Sequence, residues 1–216
     1  MHIAIAQSKN ISPSYFSKSE LDELEKLADY RKADWLASRL AVKKALRRFF
    51  SENQKKIVLN EIRIISRKSS RPSFEVKGKK YLNIAISLAH SNGIGVGAVS
   101  ETELIGVDVE NIRKFSEEFK AGFLTEKELR WFKKVKKAEN DRIATLFWCI
   151  KEAYLKALGR GLKKHPRELE IRSKNGSMRY ISIQDKGILT NATVSWSISD
   201  GYAVAAVIIH NDESDE

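Results

Sequence analysis

Ile105-Gly106-Val107-Asp108-Val109-Glu110 is the stretch of sequence that decides the fold. Its β-branched residues alternate with Gly106, Asp108 and Glu110, which is the two-residue period of a strand with one buried face. Asp108 and Glu110 therefore point to the same side, roughly 6–7 Å apart along the strand. Two carboxylates this close repel each other unless a cation or a proton lies between them. The pair is either a site for a hard divalent cation such as Mg²⁺, or two acids that an edge strand shows to water.

A second stretch, residues 143–158, supplies a third acid. Its apolar residues recur at three- and four-residue steps, which predicts an amphipathic helix. Glu152 lies on the shoulder of the apolar stripe, where a carboxylate is partly desolvated and needs a partner. Lys156, one turn further on, forms an ordinary ion pair with Glu152, or else Glu152 is a third metal ligand and Lys156 a cation aimed at a phosphate.

Composition limits the class of protein. The 216 residues are enough for one domain or two small ones, and no run of 18 apolar residues predicts a transmembrane helix. Residues 1–7 are too short for a secretory signal and lack its charged start. Cys149 is the only cysteine, so an intrachain disulfide is impossible and a cytoplasmic location is expected.

The net charge of +11 indicates which kinds of partner the protein attracts. A field of this sign attracts polyanions, so nucleic acid, an anionic cofactor and an acidic protein all qualify. A basic nucleic-acid-binding protein is the alternative from another class. Against it, the basic residues are scattered and the sequence contains no recognised nucleic-acid-binding motif.

Periodicity and turn residues predict the remaining elements. Two helical segments are expected between about residues 19 and 50. A further helix is expected from the capping box Thr125–Glu128 onward, and another that ends at Leu158. In the second segment Lys43 and Lys44 are interpreted as a solvated face and Arg39 as an anion-binding candidate. Strands are expected at 2–6, 61–66, 81–87, 94–100, 105–110, 169–172, 178–183, 193–199 and 202–209, with turns at Asn92-Gly93, Asn175-Gly176 and Asp200-Gly201.

An internal repeat predicts the architecture. The hairpin 87–99 can be laid on 195–207 with an offset of 108 residues, and residues 41–46 resemble residues 153–158 with an offset of 112. We therefore expect an α+β fold that is a pseudo-two-fold duplication of two similar α/β halves, each a small antiparallel-rich sheet packed with a long helix. The halves are 1–103 and 104–210, and the acidic residues 211–216 form a flexible tail. A ligand is expected in the cleft between the halves.

Two motifs together resemble a known family. Gly106–Glu110, followed about forty residues later by Trp148–Lys156, resembles the signature pair of the 4′-phosphopantetheinyl transferases. Length and duplication resemble the monomeric, two-subdomain type that activates surfactin synthetase. Arg71-Pro72 resembles the family's Gly-Lys/Arg-Pro element, with Ser70 in place of the glycine. Residues 87–91 resemble its Ser-His-Ser element, with Ala89 in place of the first serine.

The resemblance implies an activity. The 4′-phosphopantetheine arm of coenzyme A is transferred to a serine of an apo acyl or peptidyl carrier protein, and adenosine 3′,5′-bisphosphate is released. The reaction uses Mg²⁺, with Mn²⁺ as the other candidate, in a cytoplasmic monomer that needs neither nucleic acid nor a membrane. A catalytically inactive homologue that only binds carrier protein is a further alternative, which the intact carboxylates disfavour.

The resemblance also assigns the site residues. Asp108, Glu110 and Glu152 hold the metal. Glu152 takes the proton from the carrier serine, and Lys156 steadies or protonates the leaving phosphate. The residues assigned to coenzyme A are Arg31 or Arg39 together with Arg71 on the 3′-phosphate, His90 on the pyrophosphate, and Lys151 and Lys156. Glu128 matches a family acid near the metal, but the capping box already accounts for it.

Overall fold

The computed structural model describes residues 1–66, 70–101, 104–159, 164–174, 177–199 and 201–210. The predicted tail at 211–216 and the turn residues Asn175, Gly176 and Asp200 lie outside this described part. No described helix is both long and apolar enough to cross a bilayer.

Each half of the chain contains one long helix and two small antiparallel sheets. The N-terminal half consists of β1 (His2–Gln7), α1 (Lys18–Glu25), α2 (Asp29–Glu52), β2 (Ile62–Ile65), β3 (Ser73–Val76), β4 (Lys79–Lys80), β5 (Ala85–Ser91) and β6 (Ile94–Ser100). The C-terminal half consists of β7 (Leu104–Asn111), α3 (Glu117–Phe123), α4 (Glu126–Phe132), α5 (Lys137–Ala157), β8 (Leu169–Lys174), β9 (Ser177–Asp185), β10 (Ile188–Leu189), β11 (Ala192–Ser199) and β12 (Tyr202–Ile209).

The strand orders confirm the α+β fold and show the repeat. The main sheets run β1-β6-β5 and β7-β12-β11. In each half the last strand is therefore central, with the first strand on one side of it and the next-to-last strand on the other. The small sheets run β2-β3-β4 and β8-β9-β10. Helix α2 packs on the first main sheet and α5 on the second.

Glycine permits the close approach of helix and sheet. A Cβ on Gly106 of β7 would collide with the Ala153 carbonyl oxygen of α5, and one on Gly95 of β6 would collide with the backbone at Ala37 of α2. Any larger residue at these positions would separate the helix from its strand. The backbones of α5 and β7 are therefore in contact where their acidic residues lie.

A buried ion pair occurs in both halves and fixes the register of the repeat. Lys43 Nζ lies 2.6 Å from Glu20 Oε2, and Lys151 Nζ lies 2.6 Å from Glu128 Oε2. Each glutamate also closes a capping box, at Ser17 in α1 and at Thr125 in α4. Both the lysines and the glutamates are 108 residues apart in sequence.

Two sequence-based interpretations of the long helices are therefore wrong. The offset of 112 between them is one turn too long, because a pattern of alanine, lysine and leucine fits a helix nearly as well after a shift of four residues. At the correct offset Lys44, not Leu40, stands where the other half has Glu152. Lys43 does not belong to a solvated face, since its side chain is fully buried.

The repeat carries acids in one half only. Asp108 pairs with Ala205 in the sheet, and the corresponding pair in the N-terminal half is Ala4 with Gly97. In the same way Ala6 stands where the C-terminal half has Glu110. Alanine at both positions leaves the N-terminal half without the carboxylates of the predicted metal site.

The two halves pack against each other through the apolar face of β7. Val107 and Val109 are fully buried in one cluster with Ala89, Val96 and Ala98 of the N-terminal half. A hydrogen bond crosses this interface from the Val107 N–H to Ser87 Oγ, at 3.0 Å. Strand β7 is therefore covered on both faces, by the N-terminal hairpin on one side and by α5 on the other.

Candidate active site

Asp108 lies on the face of β7 that α5 covers. Its side chain is 7% exposed, so it does not belong to an edge strand that shows its acids to water. Oδ1 accepts a hydrogen bond from Lys156 Nζ at 2.7 Å. Lys156 thus forms its ion pair with an acid on the neighbouring strand, whereas its predicted partner was Glu152 on its own helix.

Glu110 is held by one donor from each half. Ser91 Oγ, at the end of β5, donates to Oε2 at 3.3 Å, and Trp148 Nε1 of α5 donates to Oε1 at 3.2 Å. The Asn111 N–H donates to the same Ser91 oxygen at 3.2 Å. Burial, followed by the charge of Asp108, raises the pKa of Glu110.

Sequence reasoning gave Ser91 and Trp148 no role of their own. Both lie inside motifs that carry the family resemblance, and Trp148 precedes Glu152 by one helical turn. That spacing was the available signal, because residues four apart share one face of a helix.

Electrostatics joins Glu152 and Lys156 to the same cluster. Burial raises the pKa of Glu152, the charge of Asp108 raises it further, and Lys156 opposes both. Burial lowers the pKa of Lys156, but Asp108 and Glu152 outweigh it and the net pKa is raised. Lys156 therefore contacts Asp108, and the charges of Asp108, Glu110 and Glu152 act on one another across the space between β7 and α5.

The donor set fits a divalent cation that a phosphate also binds. Asp108 Oδ2 is buried and, among the described residues, has no hydrogen-bond partner. The neighbouring Cys149 thiol donates instead to the Ala203 carbonyl oxygen at 3.2 Å. Within the described part of the chain, no group of three His, Cys, Asp or Glu side chains is arranged to hold a metal ion. Mg²⁺ completes its shell with water and substrate phosphates, so the acids need not surround the cation before a substrate binds.

Two of the basic residues predicted for coenzyme A lie at the edges of this region. Arg71 Nη2 donates to the Ala157 carbonyl oxygen at 3.0 Å, at the end of α5 and next to Lys156. His90, at the end of β5, has a side chain that is 52% exposed, with Nδ1 3.2 Å from Asp34 Oδ2. No local pattern in the sequence marks Asp34, because His90 is distant from it along the chain.

The other predicted basic residues differ in accessibility. Arg31 is exposed at the start of α2. Arg39 is buried with its guanidinium carbon 3.8 Å from the centre of the Trp35 ring, and burial lowers its pKa to about 10 against the opposing charges of Glu20 and Glu23. Of the two candidates for the 3′-phosphate, Arg31 is therefore the accessible one.

Lys151 requires a correction. Its side chain is fully buried, and Nζ donates to Glu128 Oε2 at 2.6 Å and to the Phe123 carbonyl oxygen at 2.8 Å. The predicted contact with coenzyme A is not compatible with this position, because the ammonium faces the protein core. Glu128 is likewise committed to Lys151, to the Thr125 cap and to the Ile171 N–H.

An α+β chain with a carboxylate and lysine cluster at the junction of two duplicated halves is consistent with a phosphoryl-transfer enzyme. Residues 104–207 match the family model of the 4′-phosphopantetheinyl transferase superfamily. This part of the chain, which carries all three acids and Lys156, is thus similar to that superfamily and amounts to just under half of the 216 residues.

Individual relatives match about half of the chain. It is 32% identical over 107 residues to the 4′-phosphopantetheinyl transferase HetI of Nostoc sp. (strain PCC 7120), covering 45% of each protein. It is 35% identical over 112 residues to a holo-[acyl-carrier-protein] synthase of Thermotoga maritima, covering 51% of this chain and 64% of that protein. A holo-(acyl-carrier-protein) synthase from Bacillus anthracis, crystallised in complex with CoA (3′,5′-ADP), is 29% identical with a TM-score of 0.40, covering 49% of this chain and 93% of that one. The chain thus spans less than two thirds of the length of these curated relatives.

Proposed function

We propose that this protein transfers the 4′-phosphopantetheine arm of coenzyme A to a serine of an apo acyl or peptidyl carrier protein, in a Mg²⁺-dependent reaction. The observation that carries the proposal is the cluster of Asp108, Glu110, Glu152 and Lys156, with the unpartnered Asp108 Oδ2 at its centre. The superfamily match at residues 104–207 and the names of the relatives support it.

The roles of the acids are those that the family resemblance implies. Asp108, Glu110 and Glu152 would hold the cation, which when bound neutralises charge on the phosphoryl oxygens. Ser91 and Trp148 hold the Glu110 carboxylate in place. A raised pKa makes Glu152 a better proton acceptor, so it is suited to take the proton of the carrier serine.

The transfer step conserves atoms and charge. The serine oxygen attacks the phosphorus that bears the pantetheine arm, and the bond from that phosphorus to the bridging oxygen breaks. The serine proton goes to Glu152, and adenosine 3′,5′-bisphosphate leaves with the bridging oxygen. Lys156 neutralises this oxygen or protonates it.

The two halves are assigned different tasks. Residues 104–210 supply the metal-binding and catalytic groups, and residues 1–103 supply Arg31, Arg71 and His90 to the 3′-phosphate and pyrophosphate of coenzyme A. The net charge of +11 steers both coenzyme A and an acidic carrier protein to the enzyme. We also propose that the protein acts as a monomer, because one chain contains both halves. We propose a cytoplasmic location because the single cysteine allows no intrachain disulfide.

The direct test is incubation with coenzyme A, Mg²⁺ and a panel of apo carrier proteins, followed by mass spectrometry. We expect the mass of the phosphopantetheine arm on at least one carrier, loss of the reaction on chelation with EDTA, and recovery when Mg²⁺ is added in excess. Magnesium-dependent binding of coenzyme A without product would indicate the inactive homologue. Binding of nucleic acid without binding of coenzyme A would overturn the proposal.

Lys156→Ala separates chemistry from binding. We expect kcat to fall by about 100-fold, the lower end of the usual contribution of a proton-transferring side chain, with a smaller change in the KM for coenzyme A. Steady-state kinetics at varied coenzyme A gives both values. The control is Arg48→Ala, because Arg48 stands on α2 where the other half has Lys156, and β1 has Ala4 in place of Asp108. If helix content and activity fall in parallel for Lys156→Ala, the lysine is a structural partner of Asp108 only.

A further inference from the structure

A carboxylate of the N-terminal half, Asp34, contacts the histidine to which the proposed function gives the pyrophosphate. Asp34 lies in the second turn of α2, and its Oδ2 is 3.2 Å from His90 Nδ1. Its other oxygen, Oδ1, accepts a hydrogen bond from the Gly93 N–H at 2.6 Å. Both carboxylate oxygens are therefore committed to the β5–β6 hairpin.

The distance between Asp34 and His90 is set by packed secondary structure. Gly93 adopts a φ of +80° in the hairpin turn, and its carbonyl oxygen accepts the Ser8 N–H at 2.7 Å. Directly after this turn, Gly95 allows the hairpin to approach the backbone of Ala37 in α2. Helix α2, which carries Asp34, is thus packed against the β5–β6 hairpin that carries His90.

This contact determines which ring nitrogen faces a ligand. With Nδ1 on Asp34, the imidazole can donate to a phosphate oxygen only through Nε2. The His90 side chain is 52% exposed against 26% for Asp34, so the open side of the pair is the histidine side. A carboxylate on one ring nitrogen is a common way to fix both the tautomer and the orientation of a functional histidine.

We propose that Asp34 is a positioning residue, which accepts the Nδ1–H of His90 and so directs Nε2 at the pyrophosphate of coenzyme A, to which the ring, protonated on both nitrogens in the complex, donates its Nε2–H. The ligand contact rests on the proposed function, whereas the tautomer does not. The carboxylate acts through His90 and touches no reacting atom. Its second task, at the Gly93 N–H, keeps the hairpin turn in register with α2.

Asp34→Asn in the full chain tests this role. The amide oxygen still accepts the Gly93 N–H, but the amide nitrogen now faces His90 and donates to Nδ1, which moves the ring proton to Nε2. ¹⁵N NMR of the imidazole nitrogens, at a pH where the ring is neutral, distinguishes the two tautomers. His90→Gln identifies the relevant signals among the four histidines of the chain. We expect Nδ1–H in the native protein and Nε2–H in Asp34→Asn.

Kinetics gives a second readout. An amide N–H on Nδ1 leaves only an uncharged ring to donate from Nε2, and a neutral hydrogen bond to phosphate is weaker than a charged one. We therefore expect Asp34→Asn to raise the KM for coenzyme A by about tenfold, with a smaller change in kcat, and to have no further effect in a His90→Ala background. The matched control is Asp29→Asn, an exposed acid on the same helix that pairs with Lys32.

An unchanged tautomer, or an equal loss in the His90→Ala background, would show that Asp34 only fastens α2 to the hairpin and would overturn the proposal. Absence of transfer to every carrier would instead overturn the proposed function, while the substrate-free NMR measurement still decides the role of Asp34.

Discussion

Asp108→Asn is expected to lower the rate of phosphopantetheine transfer by at least about 100-fold while the protein stays folded. The amide oxygen still accepts the Lys156 hydrogen bond, but the charge at the centre of the cluster is lost. A metal that neutralises phosphoryl charge contributes several kcal/mol to the transition state, and a weakly bound metal forfeits most of it. Transfer at saturating coenzyme A and carrier, followed by mass spectrometry, gives the rate.

The same substitution has a readout that does not depend on activity. A ligand that binds only the folded state raises the melting temperature, so Mg²⁺ with coenzyme A should stabilise the native protein and have a much smaller effect on Asp108→Asn. Glu170→Gln is the matched control, because Glu170 is an ion-paired strand acid of the same half, bound to Lys127 and Arg172. Native activity in Asp108→Asn, or equal stabilisation of both proteins by Mg²⁺, would remove Asp108 from the metal site.

Local patterns predicted the elements that form the site. The alternation in residues 105–110 and the helical period of residues 143–158 placed Asp108, Glu110 and Glu152 on β7 and α5, and the structure confirms these elements. The Thr125–Glu128 capping box and the Asn92-Gly93 turn are also confirmed, because each depends on residues only a few positions apart.

Contacts between distant segments were not predictable in the same way. Lys43 meets Glu20 and His90 meets Asp34 only after α1, α2 and the hairpin have packed. A lysine next to another lysine on a helix has no local feature that marks it as buried. For the same reason Lys151, one residue before Glu152, was assigned to the ligand when its partner is the capping glutamate Glu128.

Lys151→Met is therefore expected to affect stability far more than coenzyme A binding. Removing the ammonium leaves the Glu128 carboxylate buried without a counter-charge, which typically costs about 3–5 kcal/mol. For a protein of this size we expect a fall in melting temperature of roughly 10 °C, measurable by calorimetry. At temperatures where the variant is still folded, the KM for coenzyme A should remain within about twofold of the native value. Substitutions at sites that do not touch each other usually affect each other's properties by no more than this.

The internal repeat provides a symmetric test of the same ion pair. Lys43→Met should destabilise the protein to a similar extent, because Glu20 is as buried as Glu128 and also accepts a backbone N–H, that of Ile64 at 3.2 Å. Lys44→Met, on the adjacent and more accessible position of α2, is the control and should change the melting temperature little. Adding Glu128→Gln to Lys151→Met removes the uncompensated charge and should recover part of the loss. A Lys151→Met protein of native stability with a raised KM would show instead that Lys151 leaves its ion pair to bind the ligand.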